Sequence, residues 1–495
     1  MDTFAILTAG LSNFTSAHSL YLILAGNVLG IIFGVVPGLT ATMGMAIFLP
    51  MTFAMSDVNG MLFLIGIFVG ACYAGSISAI LVNIPGTPSA IATGFDGYLM
   101  AKKGEAGRAI GYSTIASALG GLLGVLVLVF AAPVLAGFAL KFGAQEYTGV
   151  ALLGISIVSY ISFGSTVKGL MGGIIGLLLA SIGQDVITGY PRFSFGSKGL
   201  EAGLEMIPVM VGFFGVTEVL IKIEQTTEMK VAVAKIRKIL PSFSRLVRMS
   251  PMIGVSSMIG TFIGAVPAAG GAIASMAAYG IQKRFSKRSR EYGTGIAEGV
   301  VAAEAANNAA VGGAFVPMLS LGIPGDPQTA ILIGALMING LAPGPMLFMT
   351  RPDLISTIYL GNVVSVLVFA MIGLAGARYF AHLIRVPRYY LLPAIMIFCI
   401  IGSFAIRNTV FDIWVLLACG LVGYLLQKIG IMPAPIILGF VLGPILEDNF
   451  RRSLIMSNGD WSTFVTRPIS LALLLINLFI LAGPYLIAFA KRKKR

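Results

Sequence analysis

The sequence predicts an all-α integral membrane protein of about ten to twelve transmembrane helices in two inverted-topology repeats, with Pro/Gly-broken helices or re-entrant hairpins. Of the 495 residues, 57% are hydrophobic and 11% are charged, whereas soluble domains carry about a quarter charged residues. Apolar runs of roughly 20 residues, the length that crosses a bilayer, recur from Tyr21 onward. The 62 glycines and 23 prolines are tolerated in membrane bundles with interrupted helices. Composition therefore excludes a soluble globular protein.

The net charge of +13 does not indicate a nucleic-acid partner. The basic residues lie in short loops between apolar runs rather than along one soluble face, which is typical of positive-inside topology signals. The three cysteines, Cys72, Cys399 and Cys419, lie in apolar stretches without metal-like spacing. We therefore predict neither a disulfide framework nor a zinc site.

The chain repeats itself at nearly constant separation. The segment GVVPG at 34–38 returns as GAVPA at 264–268, a separation of 230 residues, and IPGTP at 84–88 returns as IPGDP at 323–327, a separation of 239. Pro208 with Gly212-Phe213 and Pro435 with Gly439-Phe440 give a third pair in the same order. This self-similarity predicts two membrane repeats, residues 1–221 and 249–495, joined by a linker at 222–248.

Charge predicts that the two repeats are inverted. The loop at 51–60 has no basic residue, whereas its counterpart in the second half carries five, including Lys287. The loop after the second landmark shows the opposite contrast: it is basic in the first half, at Lys102, and nearly uncharged in the second. Because basic loops stay cytoplasmic, equivalent loops are expected on opposite sides of the membrane, as in the inverted repeats of secondary transporters.

Two basic segments fix the expected position of the linker and of the C-terminus. Residues 222–248 carry seven Lys or Arg, interspersed with apolar residues, and predict a partly helical cytoplasmic linker that lies on the membrane surface. The chain ends in KRKKR at 491–495. This tail predicts a cytoplasmic C-terminus, and we favour a topology anchor over nucleic-acid or specific lipid binding.

Each Ile-Pro-Gly segment is expected to break a helix. Pro85 and Gly86 can end one helix, while Thr87 suits an N-cap and the proline after it suits the first helical position. Asp326 repeats this pattern in the second half. A helix that restarts within the membrane presents free N–H groups that suit a carboxylate. Two such breaks predict a paired anion site near the midplane; the alternative is two tight loops at the membrane surface.

Carboxylates in an apolar segment point to a coupling ion. Residues 293–313 form a small-residue stretch that contains Glu298, Glu304 and the pair Asn307-Asn308. A carboxylate in a bilayer is costly, which favours a proton site or a sodium site with amide oxygens as ligands. The alternative is a set of polar residues that hydrogen-bond only for packing. Asp326 fits either a helix cap or a ligand of a coupling cation.

Missing motifs narrow the mechanism. The chain has no GxxxxGK[ST] loop, so ATP hydrolysis by that route is excluded. Its two histidines, His18 and His382, lie outside HExxH, and no GxSxG elbow occurs. A membrane-embedded enzyme and an anion channel remain alternatives, but inverted repeats with two polar breaks favour alternating access.

At these motifs the sequence resembles the large membrane subunit of the bacterial tripartite tricarboxylate transporters, over nearly the whole chain. It departs from the family's usual GxLPGxGP at residues 34–41, which contain Pro37, and from PGAGA at residues 267–271, which contain Pro267. These two segments are called the tips. The segments that carry the resemblance are GVVPGLTATMG (34–44), YAGSISAILVNIPGTPSAIATGFDGYLMAKKGEAGRAIG (73–111), TGYPRFSFG (188–196), EAANNAAVGGAFVPMLSLGIPGDPQTA (304–330), PAPIILGFVLGPILEDNFRRSL (433–454) and SNGDWSTFVTRPIS (457–470).

The resemblance implies a permease of the bacterial cytoplasmic (inner) membrane that works with a small four-span membrane subunit and a periplasmic solute-binding protein. It implies secondary active uptake, by symport with Na⁺ or H⁺, of a tricarboxylate such as citrate or of a related di- or monocarboxylate. It implies no catalytic residue, and no cofactor or metal beyond the coupling ion. Nucleic acid is not an expected partner.

The candidate residues fall into two sets. Those expected to bind the coupling ion are Glu304, Asn307, Asn308 and Asp326. Those expected to bind substrate, at the two breaks and at the two tips that precede them, are Pro37, Gly38, Thr40, Asn83, Pro85, Gly86, Thr87, Ser89, Pro267, Gly270, Pro324, Gly325, Gln328 and Thr329.

Overall fold

The protein is all-α in a computed structural model that describes residues 3–14, 16–161, 165–185, 187–224, 236, 239–267, 269–384 and 388–492. The one strand pair in this part is a short antiparallel hairpin, β1 Gly183–Gln184 with β2 Pro191–Arg192. The helices are α1 Thr3–Ala9, α2 Ala17–Val35, α3 Ala41–Thr52, α4 Asp57–Val82, α5 Ile91–Lys102, α6 Ala106–Ala139, α7 Ala144–Ile161, α8 Thr166–Ala180, α9 Lys198–Glu201, α10 Met206–Val211, α11 Thr217–Glu224, α12 Phe243–Gly264, α13 Gly270–Phe285, α14 Ala297–Leu321, α15 Pro327–Ile338, α16 Leu347–Thr350, α17 Pro352–Leu383, α18 Arg388–Arg407, α19 Val410–Lys428, α20 Pro433–Met456, α21 Thr463–Thr466 and α22 Pro468–Arg492. Short 3₁₀ turns cover Leu11–Phe14, Pro88–Ala90 and Ser289–Glu291, and π-helical turns join α10 to α11 at Gly212–Val216.

The membrane fold is confirmed. Within the described residues, eight helices are long and apolar enough to span a bilayer, and four further apolar helices are shorter. Among the short ones, α3 and α15 have 12 residues each. At about 1.5 Å per residue such a helix covers well under the roughly 30 Å of the hydrocarbon core. Each of these two helices is therefore too short to cross the bilayer by itself.

The chain forms two compact units, and each unit draws on both predicted repeats. Unit 1 comprises Met1–Ala136 and Glu218–Ile406, and unit 2 comprises Gly137–Thr217 and Arg407–Arg495. The predicted repeat boundaries stay a prediction. Residues 225–235, 237 and 238 of the expected linker lie outside the described residues, as does the end of the basic tail at 493–495.

Unit 1 contains two matching sets of helices. In the first half α2, α3 and α4 lead to the first break, and in the second half α12, α13 and α14 lead to the second. The helices before the breaks, α4 and α14, have 26 and 25 residues. Both are buried along nearly their whole length, so helical periodicity of hydrophobicity is absent in them.

Glycine contacts repeat with the separations seen in the sequence. A Cβ on Gly30 or Gly34 of α2 would overlap the carbonyl of Ile67 or Ala71 on α4. In the second half, a Cβ on Gly260 or Gly264 of α12 would overlap the carbonyl of Ala306 or Ala310 on α14. The glycines of α2 and their counterparts on α12 are 230 residues apart in the sequence. The carbonyls that they approach, on α4 and α14, are 239 residues apart. These glycines thus allow close packing of α2 on α4 and of α12 on α14.

Contacts in unit 1 group the loops by charge. The Lys103 ammonium donates to the Thr294 carbonyl at 2.7 Å, so the basic loops of the two halves meet. Glu298 pairs with Arg288 at 2.7 Å and with Arg245 at 3.0 Å beside them. This grouping is the one that inverted repeats require, because equivalent loops of the two halves then lie at opposite ends.

Unit 2 is built around α7, α8 and α20, which pack on one another. A Cβ on Gly176 of α8 would overlap the Ile436 carbonyl of α20, and one on Gly439 would overlap the Gly173 carbonyl. The β-hairpin is fixed to α20 by Asp185, which accepts from Arg451 at 2.5 Å and from the Thr188 N–H at 2.7 Å. No predicted site residue lies in this unit.

Candidate functional site

The first break follows a left-handed helix end. Asn83 ends α4 with φ +57°, a conformation that asparagine tolerates, and its side chain lies on the surface of the chain. Pro85 is half-buried, and the Gly86 N–H donates to the Gly75 carbonyl at 3.2 Å. A Cβ on Gly86 would overlap the Gly34 carbonyl. The close approach at this glycine is therefore to the protein's own backbone.

Thr87 and Ser89 form a buried hydroxyl pair at the start of the next helix. Their oxygens lie 3.0 Å apart, and both residues are buried. Thr87 occupies the predicted N-cap position before the 3₁₀ turn Pro88–Ala90, but its side chain makes no capping hydrogen bond. The expected cap by the Thr87 side chain is therefore wrong, and one hydroxyl hydrogen of the pair remains for another acceptor.

The second break repeats the backbone of the first. Gly322 ends α14 with φ +73°, at the position that corresponds to Asn83, and the buried Pro324 and Gly325 follow. A Cβ on Gly325 would lie 2.6 Å from the Ala314 Cα atom, so this glycine also packs against backbone. The predicted helix start at Pro327 is confirmed.

Asp326 caps α15 as predicted. Its Oδ1 accepts from the Thr329 N–H at 2.7 Å and from the Thr329 hydroxyl at 2.8 Å, and that hydroxyl accepts from the Asp326 N–H. The reciprocal pair is a capping box. Gln328, in the first turn, is half-buried. The carboxylate is therefore turned toward its own helix.

The two tips that precede α3 and α13 differ in their caps. Pro37 is buried and Gly38 has φ +93°, after which the Thr40 hydroxyl accepts from the Met43 N–H at 3.1 Å and caps α3. In the second tip Pro267 is half-buried and Gly270 has φ +58°. No side chain caps α13, whose N-cap residue is Ala269.

Glu304 lies in a fully buried pocket between three helices of unit 1. Its carboxylate accepts from the Ser117 hydroxyl of α6 at 2.9 Å and from the Thr93 hydroxyl of α5. Among the described residues, no lysine or arginine pairs with it. Charge on a buried carboxylate requires a counter-ion, so the pocket suits a monovalent cation or a proton.

Asn307 and Asn308 extend this pocket along α14. Their amide groups donate to the carbonyls of Cys72 at 3.2 Å and of Glu304 at 3.3 Å, and both amide oxygens are buried without a partner. The sequence missed Thr93 and Ser117, the hydroxyl donors to Glu304. Both are polar residues within apolar runs, and that was the available signal.

Asn307 lies where the first break meets the second tip. A Cβ on Gly271, the second residue of α13, would lie 2.7 Å from the Asn307 Oδ1 and 3.1 Å from the Ser89 Cβ. A Cβ on Gly270 would lie 4.0 Å from the Asp326 Cβ. The structure thus brings Ser89, Gly270, Asp326 and Asn307 together. It shows no such contact for Pro37, Gly38 or Asn83, whose roles stay predictions.

A second buried carboxylate, Asp96 of α5, was not anticipated. It accepts from the Tyr279 hydroxyl at 2.9 Å and from the backbone N–H groups of Gly295 at 2.7 Å and of Gly293 and Ile296 at 3.0 Å. Its hydrogen-bonding capacity is used by the turn that leads into α14. Asp96 therefore fixes the first break to the second half rather than binding a ligand.

The chain is similar by sequence to known proteins of Agrobacterium vitis. The chain is 38% identical over 483 residues to a protein of Agrobacterium vitis described as an uncharacterized 52.8 kDa protein in the TAR-I ttuC' 3' region; the alignment covers 97% of this chain and 95% of that protein. It is 41% identical over 220 residues to an uncharacterized protein in the TAR-II ttuC' 3' region of the same organism, covering 43% of this chain and 89% of that protein. No solved structure matches the chain.

The profile of one protein family matches most of the chain. Residues 20–438, which include both breaks, both tips and Glu304, match the profile of a transporter family. The match covers most of the chain, and the multi-pass helical fold agrees with it. The protein belongs to the Tripartite tricarboxylate transporter TctA family.

Proposed function

We propose that the chain is the permease of a secondary active transporter that takes up a small carboxylate across the bacterial cytoplasmic membrane. The substrate class is a tricarboxylate such as citrate or a related di- or monocarboxylate. The observation that carries the proposal is the pair of Ile-Pro-Gly breaks. Each follows a helix that ends in a left-handed residue, and both lie against α14 in unit 1. Helix starts at such breaks offer N–H groups to an anion.

We further propose that the coupling ion, whose gradient drives uptake, binds in the Glu304 pocket. The carboxylate, two hydroxyl donors and two unpartnered amide oxygens form an oxygen-rich, buried cluster without a basic partner among the described residues. Na⁺ prefers such oxygen ligands, and a proton would neutralise the same carboxylate. Asn307 belongs both to this cluster and to the place where the first break meets α13. Cation binding and substrate binding can therefore act on each other through one side chain.

The proposed partners are a small four-span membrane subunit and a periplasmic solute-binding protein. Family membership supports them, since the family belongs to tripartite transporters. The C-terminus is placed in the cytoplasm, on the side of the basic loops.

Uptake measurements test the proposal. Cells that express the chain with its two partners are given a mixed carboxylate panel, with sodium present or replaced by potassium. Accumulation of one compound above its external concentration, dependent on sodium or on a proton gradient, is expected. Equilibration without accumulation would instead indicate an anion channel. Chemical conversion by the purified chain in detergent, where no gradient exists, would indicate an enzyme.

A further inference from the structure

Four helical segments start at the two breaks and the two tips, and they form two different pairs. The helices α3 and α15 pack against each other, and α13 packs against the 3₁₀ turn at Pro88–Ala90 and against α5, which continues from it. Each pair combines a tip of one half with a break of the other. Inverted repeats alone would make the two pairs equivalent.

Capping makes the pairs unequal. In the first pair, side chains satisfy the helix starts: the Thr40 hydroxyl accepts from Met43 in α3, and Asp326 with Thr329 forms the capping box of α15. In the second pair, neither Thr87 nor Ala269 provides a side-chain cap. Among the described residues, no side chain accepts from the first-turn N–H groups of α13, a helix of 16 residues, and these groups carry the positive end of the helix dipole.

An unpartnered buried oxygen points into the uncapped pair. Within the part of the chain that the structure describes, the Asn307 Oδ1 has no hydrogen-bond partner, and the residue is 1% exposed. It lies 2.7 Å from the position of a Cβ on Gly271, beside Ser89. A buried carbonyl oxygen without a donor is destabilising, so a ligand that supplies a donor at this point is favoured. A carboxylate alone supplies none.

We infer that the substrate binds asymmetrically, with a carboxylate on the uncapped pair and a hydroxyl group on Asn307. The carboxylate accepts from the first-turn N–H groups of α13 and from the free hydroxyl hydrogen of the Thr87–Ser89 pair. The hydroxyl beside it donates to the Asn307 Oδ1. Asn307 is then the residue that selects a hydroxycarboxylate over the same acid without its hydroxyl. The inference rests on the proposed function.

Two pairs of acids that differ by one hydroxyl provide the test. Citrate is compared with propane-1,2,3-tricarboxylate, and malate with succinate, as competitors of the carboxylate that the wild-type transporter takes up. We expect the hydroxylated acid of the relevant pair to inhibit roughly 10-fold better, which one hydrogen bond accounts for. In Asn307→Ala this ratio falls toward one, with the same partner proteins present in both cases.

A matched control separates selection from stability. Asn362 of α17 is also buried, donates to a carbonyl four residues earlier and leaves its amide oxygen unpartnered. Asn362→Ala should leave the ratio unchanged. Likewise Gly271→Ala places a methyl group between Asn307 and Ser89 and should weaken inhibition by both acids at least about 10-fold. Gly280→Ala, on the same helix with nothing within 4 Å, should not.

The outcomes distinguish the two proposals. Uptake by the wild type with a ratio that Asn307→Ala leaves unchanged would overturn the asymmetric site and leave the transporter standing. If the wild type accumulates no carboxylate of the panel, the proposed function fails and this inference fails with it.

Discussion

The guanidinium of Arg351 lies 2.5 Å from a carboxylate oxygen of Asp57. Arg351 precedes α17, and Asp57 begins α4, so this ion pair joins the sparsely charged loops of the two halves. The basic loops meet elsewhere in unit 1, at Lys103 and Thr294. Loops of like charge character are thus grouped, and the positive-inside rule predicts that the basic group faces the cytoplasm.

Topology can be measured with single cysteines. In a variant without Cys72, Cys399 and Cys419, a cysteine at Ala54 should react with an impermeant maleimide added to intact cells. A cysteine at Lys287 should react only after the cells are permeabilised. Both positions are exposed on the chain surface, so reactivity reports the side of the membrane. Equal labelling of the two positions in intact cells would refute the inverted arrangement.

The glycines of the breaks are expected to be essential for uptake. Gly86→Leu and Gly325→Leu would each force a side chain into backbone, at Gly34 and at Ala314. Overpacking of this kind costs about 1–3 kcal/mol and displaces the break. We expect membrane insertion to persist, measured as protein abundance in the membrane, while uptake is lost. Gly254→Leu on α12 has open space and serves as the control. Normal uptake by either break variant would contradict the paired site.

Glu304→Gln tests the ion site. The amide keeps the size of the side chain but removes the charge, so the dependence of uptake on sodium or on pH should change. Glu298→Gln is the matched control, because Glu298 lies on the same helix and pairs with Arg245 and Arg288 at its end. Initial uptake rates over a range of sodium concentrations and pH values provide the measurement. Unaltered ion dependence in Glu304→Gln would reduce Glu304 to a packing residue.

Asp96→Asn is expected to loosen the join between α5 and the turn before α14. All three backbone N–H groups reach Oδ1, which an amide keeps without its negative charge. The amide NH₂ would replace Oδ2, which accepts from the Tyr279 hydroxyl and from the Gly293 N–H. We expect a loss of about 3 kcal/mol in the free energy of unfolding. The melting temperature of the purified protein checks this, with Glu105→Gln at an exposed ion pair as the control. An unchanged melting temperature would rule out a structural role for Asp96.

The hairpin of unit 2 should respond to acid through Asp185. The Arg451 guanidinium, together with the N–H groups of Thr188 and Ile187, holds the pKa of this carboxyl well below its usual range. A lowered pKa stabilises the folded state above the unfolded pKa of about 4, and this stabilisation is lost as the pH falls below it. The wild type should therefore melt higher than Asp185→Asn at pH 7, and the difference should shrink below about pH 4. A constant difference across this range would be inconsistent with the assigned titration.

The sequence by itself determined the membrane fold, the two breaks and the local helix starts. These features depend on composition and on residues that are close in the chain: Asp326 caps α15 through a residue three positions away, and the glycine spacing of α2 and α12 fits helix packing wherever the partner lies. Thr87 shows the limit of such local rules, because its hydroxyl pairs with Ser89 instead of capping.

The tertiary structure decided which residues surround the site. Thr93 and Ser117 reach Glu304 from positions 211 and 187 residues away, and Asp96 meets a turn about 200 residues later. The helices α4 and α14 are buried on all sides, so no polar face in the sequence indicates which neighbour each side chain contacts. Which tip packs against which break, α3 with α15 and α13 with the 3₁₀ turn before α5, is likewise set by packing between the two halves. Contacts of this kind depend on how helices are placed against one another, which local propensity and repeat spacing do not specify.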